Sequence, residues 1–266
     1  MEHKTEPAAR GVNPLFNQSL EKGLAVLASF SARQRSMTIN EIAQASGISK
    51  SSAQRMVFTL KQLGYLFQHP QTGRYQLSVR ALRLGFNYLA ASGLIDVANP
   101  FLSELTNTTG ETVCLTEPDG KEMVYVARFI SGQFVPVHMP IGSRIPMYCT
   151  SAGRAYLSAL PKDEAIRLLE ASERVKHTMH THTELAQLEQ ILDDARRYGY
   201  ATNKEELFLG DMTIGAPIIG SQGRPIASVH IVTPTGRWTM QQAEKKLAKT
   251  LIACARSLSL AVRAMD

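Results

Sequence analysis

Acidic side chains are missing from the stretch 42–95: not one Asp or Glu occurs there, while Lys50, Arg55, Lys61, Arg74, Arg80 and Arg83 do. An acid-free basic segment suits a polyanion partner, although charge alone fits a solvated basic face equally well. Cysteine is scarce too. Cys114, Cys149 and Cys254 lie far apart and form no C-x-x-C pair, which argues against a disulfide framework and a structural zinc site. No apolar run approaches the roughly 18 residues of a spanning helix, and Met1 to Pro14 lacks the apolar centre of a secretory signal. The expected location is therefore the cytoplasm, without membrane contact. No GxGxxG, GxxxxGK[ST] or GxSxG occurs, so the common nucleotide and acyl-transfer motifs are absent.

The 266 residues suit two domains, and hydrophobic residues at 44% supply two cores. The charge divides between them. Residues 1–80 hold ten Lys or Arg against four Glu, whereas 81–266 hold nineteen of each sign, so the whole net charge of +6 lies upstream.

Leu20, Leu24, Leu27 and Phe30 recur at helical spacing over 18–30 and predict a first helix buried on that face. Thr38 and Glu41 form a T-x-x-E capping box that opens a second, with Ile39, Ile42, Ala43 and Ala45 inward and Gly47 as its stop. Ser49 caps a third over 50–63, whose buried stripe is Ala53, Met56, Val57, Leu60 and Leu63. The turn at 46–49 makes a helix-turn-helix of the last two, the second being the one that enters a major groove. Thr38, Ser49, Lys50, Ser51, Ser52, Gln54, Arg55 and Lys61 are the expected DNA contacts, because Arg pairs with guanine, Gln with adenine, and hydroxyls with bases or phosphates. Short strands at 65–67 and 75–77 flank a Pro70/Gly73 turn and read as a wing, with Arg74 at its tip following the DNA backbone or minor groove.

"QSLEKGLAVLASF", "TINEIAQASGISKSSAQRMVFTLKQLGY" and "TGRYQL", followed by "MPIGSRIPMYCTSAGRAYLSALP", "ARRYGYAT" and "GAPIIGSQGRPIASVHI", resemble the IclR family of bacterial regulators in matching order. The resemblance runs from Gln18 to Leu258 and implies an α+β chain in four parts. These are a tail at 1–17, a winged helix-turn-helix at 18–78, a linker helix at 79–98 and a GAF-like effector domain at 99–266, with an antiparallel sheet and flanking helices. The linker is apolar on more than one side, through Val79, Leu82, Leu84, Phe86, Tyr88, Leu89 and Leu94. The resemblance implies that this helix pairs two copies, as a homodimer or a dimer of dimers, on a pseudo-palindromic double-stranded operator, the alternative being a helix that is simply buried between the domains.

In the effector domain, hairpin strands are expected at 112–117 and 123–129, a strand at 134–139, and strands near 213–219 and 225–232. Helices are expected at 150–160, 162–171, 184–198 and 239–264. Free N–H groups of Ser151, Ala152 and Gly153 at a helix start favour an anion. The resemblance puts a metabolite pocket at Ser151, Ala152, Asn203, Asp211, Thr213, His230 and Val232, with Val135 and Val137 as an apolar wall. A small carboxylate or aromatic acid is the implied effector, regulation rather than catalysis the implied function, and no cofactor is implied. The rival reading is an enzyme built on Cys149 or on His177, His180 and His182. It lacks a base for the thiol and a regular ligand spacing for a metal.

Overall fold

The computed structural model describes residues 13, 15–133, 137 and 139–265. Val135, most of the strand expected over 134–139 and most of the tail expected over 1–17 lie outside the described residues. The chain forms two compact units, 1–90 and 91–266.

The first unit begins with α1 (Gln18–Ala28), α2 (Ile39–Ser46) and α3 (Lys50–Gln62). Each carries the side-chain cap its start needs: Asn17 for α1, Thr38 with the reciprocal Glu41 bond for α2, and Ser49 for α3. Gly47 ends α2 at φ 67°. Strands β1 (Leu66–Gln68) and β2 (Tyr75–Leu77) pair antiparallel, and Met37 bridges to Tyr75, which ties the wing to the start of α2. Val26, Met37, Ile42, Val57, Leu60, Leu66 and Tyr75 make the core.

Four expected core residues are not in it. Leu20, Leu24, Ala45 and Leu63 are exposed, because helical spacing reports which residues share a face and not whether one copy of the chain covers that face. The core side of α1 is Val26, with Leu27 and Phe30 partly covered.

The continuous helix expected over 79–98 is broken. A short 3-10 turn (Val79–Ala81) leads into α4 (Leu82–Ala90), and α5 (Gly93–Thr109) starts afresh with Ser92 as its cap, its hydroxyl accepting from the Ile95 N–H. The unit boundary falls at this break. Along α4 no residue is buried, and Leu82, Leu84, Phe86 and Tyr88 are all more than half exposed.

The second unit is built on a six-stranded antiparallel sheet in the order β5-β4-β3-β8-β7-β6. Its strands are β3 (Val113–Asp119), β4 (Glu122–Phe129), β5 (Arg144–Pro146), β6 (Ala201–Lys204), β7 (Met212–Ile219) and β8 (Pro225–Val232). The helices are α6 (Ser151–Ala159), α7 (Lys162–Ala171), α8 (Leu185–Tyr198) and α9 (Met240–Arg263). Helix α9 buries a stripe of Ala243, Leu247, Leu251, Ala255, Leu258 and Val262 against β7 and α5. Helix α6 packs on β7 and β8 from the other side and against α8.

Two glycines set how closely α6 approaches the sheet. A Cβ on Gly215 of β7 would stand 3.0 Å from the Ser151 backbone, and one on Gly153 would stand 2.1 Å from the Met147 Cα. Only Gly fits at position 153 without moving backbone. The start of α6 is thereby pressed onto the row of β7 and β8 that carries Thr213, Gly215 and His230.

Candidate functional site

On α3 the exposed side chains are Lys50, Ser51, Gln54, Arg55, Phe58, Thr59, Lys61 and Gln62, while Ala53, Val57 and Leu60 face inward. Lys50, Ser51, Gln54 and Arg55 therefore occupy one open end of the helix. Ser49 is occupied as a cap, its hydroxyl accepting from the Ser52 N–H at 3.3 Å and donating to the Ser52 hydroxyl at 3.0 Å. Thr38 accepts from the Glu41 N–H as cap of α2, and Lys61 donates to Gln68 Oε1 on the wing at 2.8 Å. Phe58, more than half exposed, joins this open face and is in neither the expected stripe nor the expected contacts.

Arg74 differs most from expectation. It stands at the turn end of the wing, just before β2, but its guanidinium reaches back to donate to the Ser36 carbonyl at 2.8 Å and to Glu41 Oε2 at 2.7 Å. Glu41 also accepts from the Thr38 N–H at 2.6 Å. These bonds hold the Glu41 carboxyl below the usual carboxylate range, the backbone bond foremost and Arg74 next. One carboxylate thus joins the capping box to the wing.

In the second unit a cavity with about 450 Å³ of empty space, part of it open to solvent, lies between the start of α6 and the sheet. Eight of the nine expected pocket residues line it together: Val137, Ser151, Ala152, Asn203, Asp211, Thr213, His230 and Val232. Val135 is outside the described residues. Cys114, Tyr125, Arg128, Met139, Ile145, Thr150, Leu207 and Phe208 complete the wall and were not expected.

Strand register arranges the floor. Arg128 of β4 opposes Cys114 of β3, Cys114 opposes His230 of β8, and His230 opposes Gly215 of β7. A second row runs Val232, Thr213, Asn203. A cation inside the apolar run MVYVARF was a legible signal for Arg128, but a β-bulge between Leu115 and Thr116 shifts the pairing with β4, so simple alternation misassigns its faces. The loop at 205–211, which brings Leu207, Phe208 and Asp211 to the cavity, has no periodicity to read.

The polar atoms fall into two groups. Thr213 donates to Asn203 Oδ1, so the 2.6 Å bond between Ser151 Oγ and Thr213 Oγ1 must carry the Ser151 proton. The Asn203 amide nitrogen is buried without a partner. Next to this chain stands Asp211, whose carboxyl is pushed up to about 6 by burial. In the other group, His230 Nε2 lies 3.2 Å from the Tyr125 hydroxyl, the rings edge to face at 5.4 Å, while His230 Nδ1 is buried without a partner. Burial, with the Arg128 charge second, brings the His230 pKa down to about 4, so the ring is neutral at pH 7. Arg128 donates to the Met139 carbonyl at 3.2 Å.

The start of α6 is less open than the sequence suggested. The Gly153 N–H is taken by Thr150 Oγ1 at 3.3 Å, and Ser151, Ala152 and Gly153 are buried rather than facing outward. A turn of helix was expected to leave all three amides free, but the Thr150 cap uses one.

The residues of the enzyme reading are dispersed. Cys149 is fully buried, and burial pushes its thiol up to about 12, the opposite of an activated thiolate. His177 stacks on Tyr148, His180 Nε2 lies 3.8 Å from Glu205 Oε2, and the His182 N–H donates to Glu206 Oε2. No group of three or more His, Cys, Asp or Glu among the described residues is placed to hold a metal ion. Glu206 instead makes a buried two-bond pair with Arg154 at 2.5 and 2.6 Å, which fixes the loop after β6 to α6. No helix among the described residues is long and apolar enough to cross a membrane.

Comparison with known proteins bears on both units. The IclR helix-turn-helix domain matches residues 19–70, and the bacterial transcriptional regulator IclR C-terminal domain matches 86–260. The Pca regulon regulatory protein of Pseudomonas putida is 30% identical over 247 residues, 92% of this chain and 84% of its own length. The p-hydroxybenzoate hydroxylase transcriptional activator of Acinetobacter baylyi is 33% identical over 223 residues, 82% of each chain. A transcriptional regulator from Rhodococcus sp. RHA1, solved by crystallography, superposes with a TM-score of 0.79 at 32% identity, covering 94% of this chain and 100% of that one. The relatives are named as regulators and not as enzymes. A winged helix-turn-helix followed by an antiparallel α+β domain, matched along both units, identifies this chain as a DNA-binding transcription regulator of the IclR family.

Proposed function

We propose that the first unit reads an operator in the cytoplasm while a small acid in the cavity of the second sets how tightly it does so. Gln54 and Arg55 read base edges from the open end of α3, and Lys50, Ser51 and Ser52 hold phosphates. Thr38, Ser49 and Lys61 support that placement from their cap and wing bonds. Helix α4, apolar and unburied, joins two copies so that paired readers meet a pseudo-palindromic site, and two such dimers associate in turn.

The observation that carries the effector reading is the cavity itself: a family-type pocket whose buried walls hold two unpartnered polar atoms, Asn203 Nδ2 and His230 Nδ1. Buried polar groups of this kind are normally satisfied, here by a ligand. The names of the two relatives point to aromatic-acid metabolism, so 4-hydroxybenzoate is the first acid to try. The test has two arms. Selection from a random DNA pool with purified protein should return a two-fold symmetric site, and Gln54→Ala or Arg55→Ala should weaken it by about 1 to 3 kcal/mol each. A panel of small acids should include at least one that raises the melting temperature in proportion to its concentration. No enriched site, or wild-type affinity in both variants, removes the reader; a panel without a single shift removes the acid effector.

A further inference from the structure

Among the described residues of α3, Phe58 is the one apolar side chain left exposed, at 64%. Spacing sets its place on the helix. Phe58 follows Gln54 by four residues and Arg55 by three, so it stands on their face, across the helix from the buried stripe of Ala53, Val57 and Leu60. A helix rises about 1.5 Å per residue, which puts Phe58 about 4.5 to 6 Å beyond those two residues. Along a DNA groove that is one to two base steps of about 3.4 Å.

A lone exposed apolar residue needs no partner in itself. Here the surroundings narrow what can cover it. Ser51, Gln54, Arg55 and Gln62 share the open side, and the stretch 42–95 holds no Asp or Glu to pair with Arg55. A second copy of the chain seated on this face would set like charges against each other and strip water from hydroxyls and amides without replacing their hydrogen bonds. The floor of a major groove gives each of these polar groups a partner, and among its base edges the thymine C5-methyl is the one apolar feature. Phe58 takes no part in the core of its own unit, so the fold does not require the ring.

We propose that Phe58 is a base-reading residue whose ring packs on the C5-methyl of a thymine, one or two steps from the base pairs read by Gln54 and Arg55. This rests on α3 being the helix that reads the operator, and adds to it a contact with neither hydrogen bond nor charge. Such a contact is sensitive to the methyl alone. Losing it weakens binding while every hydrogen-bonding group of the base stays in place, and it leaves the salt dependence unchanged because no phosphate is involved.

Uracil in place of thymine removes only that methyl. Duplexes selected from a random pool by the full chain, remade with uracil at each thymine in turn, are titrated against wild type and Phe58→Ala. Wild type should lose about fourfold at one thymine of each half-site, the effect of one methyl taken from water, and about 15-fold when both symmetry-related thymines are replaced. Phe58→Ala should bind the thymine and uracil duplexes equally, with a wild-type melting temperature and salt slope. Failure to enrich any site removes the reader and this contact with it. A site that enriches, but in which no uracil replacement weakens wild type or whose thymine preference survives Phe58→Ala, overturns the thymine contact alone. A fall in the oligomeric mass of Phe58→Ala by sedimentation assigns the ring to an interface between copies and overturns it as well.

Discussion

The two units solve opposite problems with similar helices. The first, residues 1–90, keeps its proposed DNA-reading side chains outside: Gln54 and Arg55 are exposed, and so are apolar residues such as Leu24, Phe58, Leu84 and Phe86. The second keeps its proposed effector-binding side chains inside: Ser151, Asn203, Thr213 and His230 are buried at the junction of α6 with the sheet. A surface that recognises DNA tolerates substitution without loss of fold, because nothing packs on it. A cavity floor does not, because each atom there is also part of a core.

Gly153→Ala breaks the comparison most sharply. The added methyl meets the Met147 backbone, so destabilisation of about 3 kcal/mol or more is expected, seen as a lowered melting temperature with loss of acid binding. Gln54→Ala should show the converse, an unchanged melting temperature with weakened operator binding.

Next in size is a pH effect peculiar to the interior. His230, lowered from 6.5 to about 4, stays neutral in the folded chain while the unfolded chain takes up a proton, so its contribution to stability is lost as pH falls from about 6.5 to 4. Asp211, raised from 3.8 to about 6, works in reverse: the folded chain holds the extra proton, so its contribution improves as pH falls over nearly the same window. Each is worth up to about 3 kcal/mol, less for the partly exposed Asp211, and the two nearly cancel in wild type. Measured against wild type by chemical denaturation, His230→Gln should gain stability between pH 6 and pH 4, and Asp211→Asn should lose it. Slopes of the same sign in both variants would contradict the assigned environments.

The smallest expected effect is on the outside. Arg74→Ala removes a partly exposed ion pair with Glu41, worth about 0 to 1 kcal/mol. It should loosen the wing and lower DNA affinity modestly for all sequences alike, without the base-specific loss of Arg55→Ala, as a mobility-shift series over several operators can check.

This same inside–outside difference explains what the amino-acid order disclosed. Caps and turns are local, so Thr38 with Glu41, Ser49 and Gly47 mark their helices correctly, and strands β7 and β8 are legible within a residue. Which faces are covered is not local. Leu20, Leu24 and Leu63 read as core and are exposed, and the helix expected over 79–98 breaks at Ser92, where a capping hydroxyl starts α5 again. In the cavity, family resemblance located eight residues that share no periodicity, while Arg128 and Tyr125 escaped because a β-bulge disturbs alternation. Leu207 and Phe208 escaped because the loop carrying them is positioned by the distant Arg154–Glu206 pair.

Coupling between the units is the central claim, and one titration addresses it: operator affinity of the full chain with and without saturating 4-hydroxybenzoate, in wild type and in Ala152→Leu, whose added side chain fills the cavity. An effector acts on DNA binding only through a difference in affinity between two states, commonly about 5- to 150-fold. The expected result is a shift of that size, in either direction, in wild type, and none in Ala152→Leu at the same acid concentration. Operator affinity that ignores an acid shown by calorimetry to occupy the wild-type cavity would contradict it.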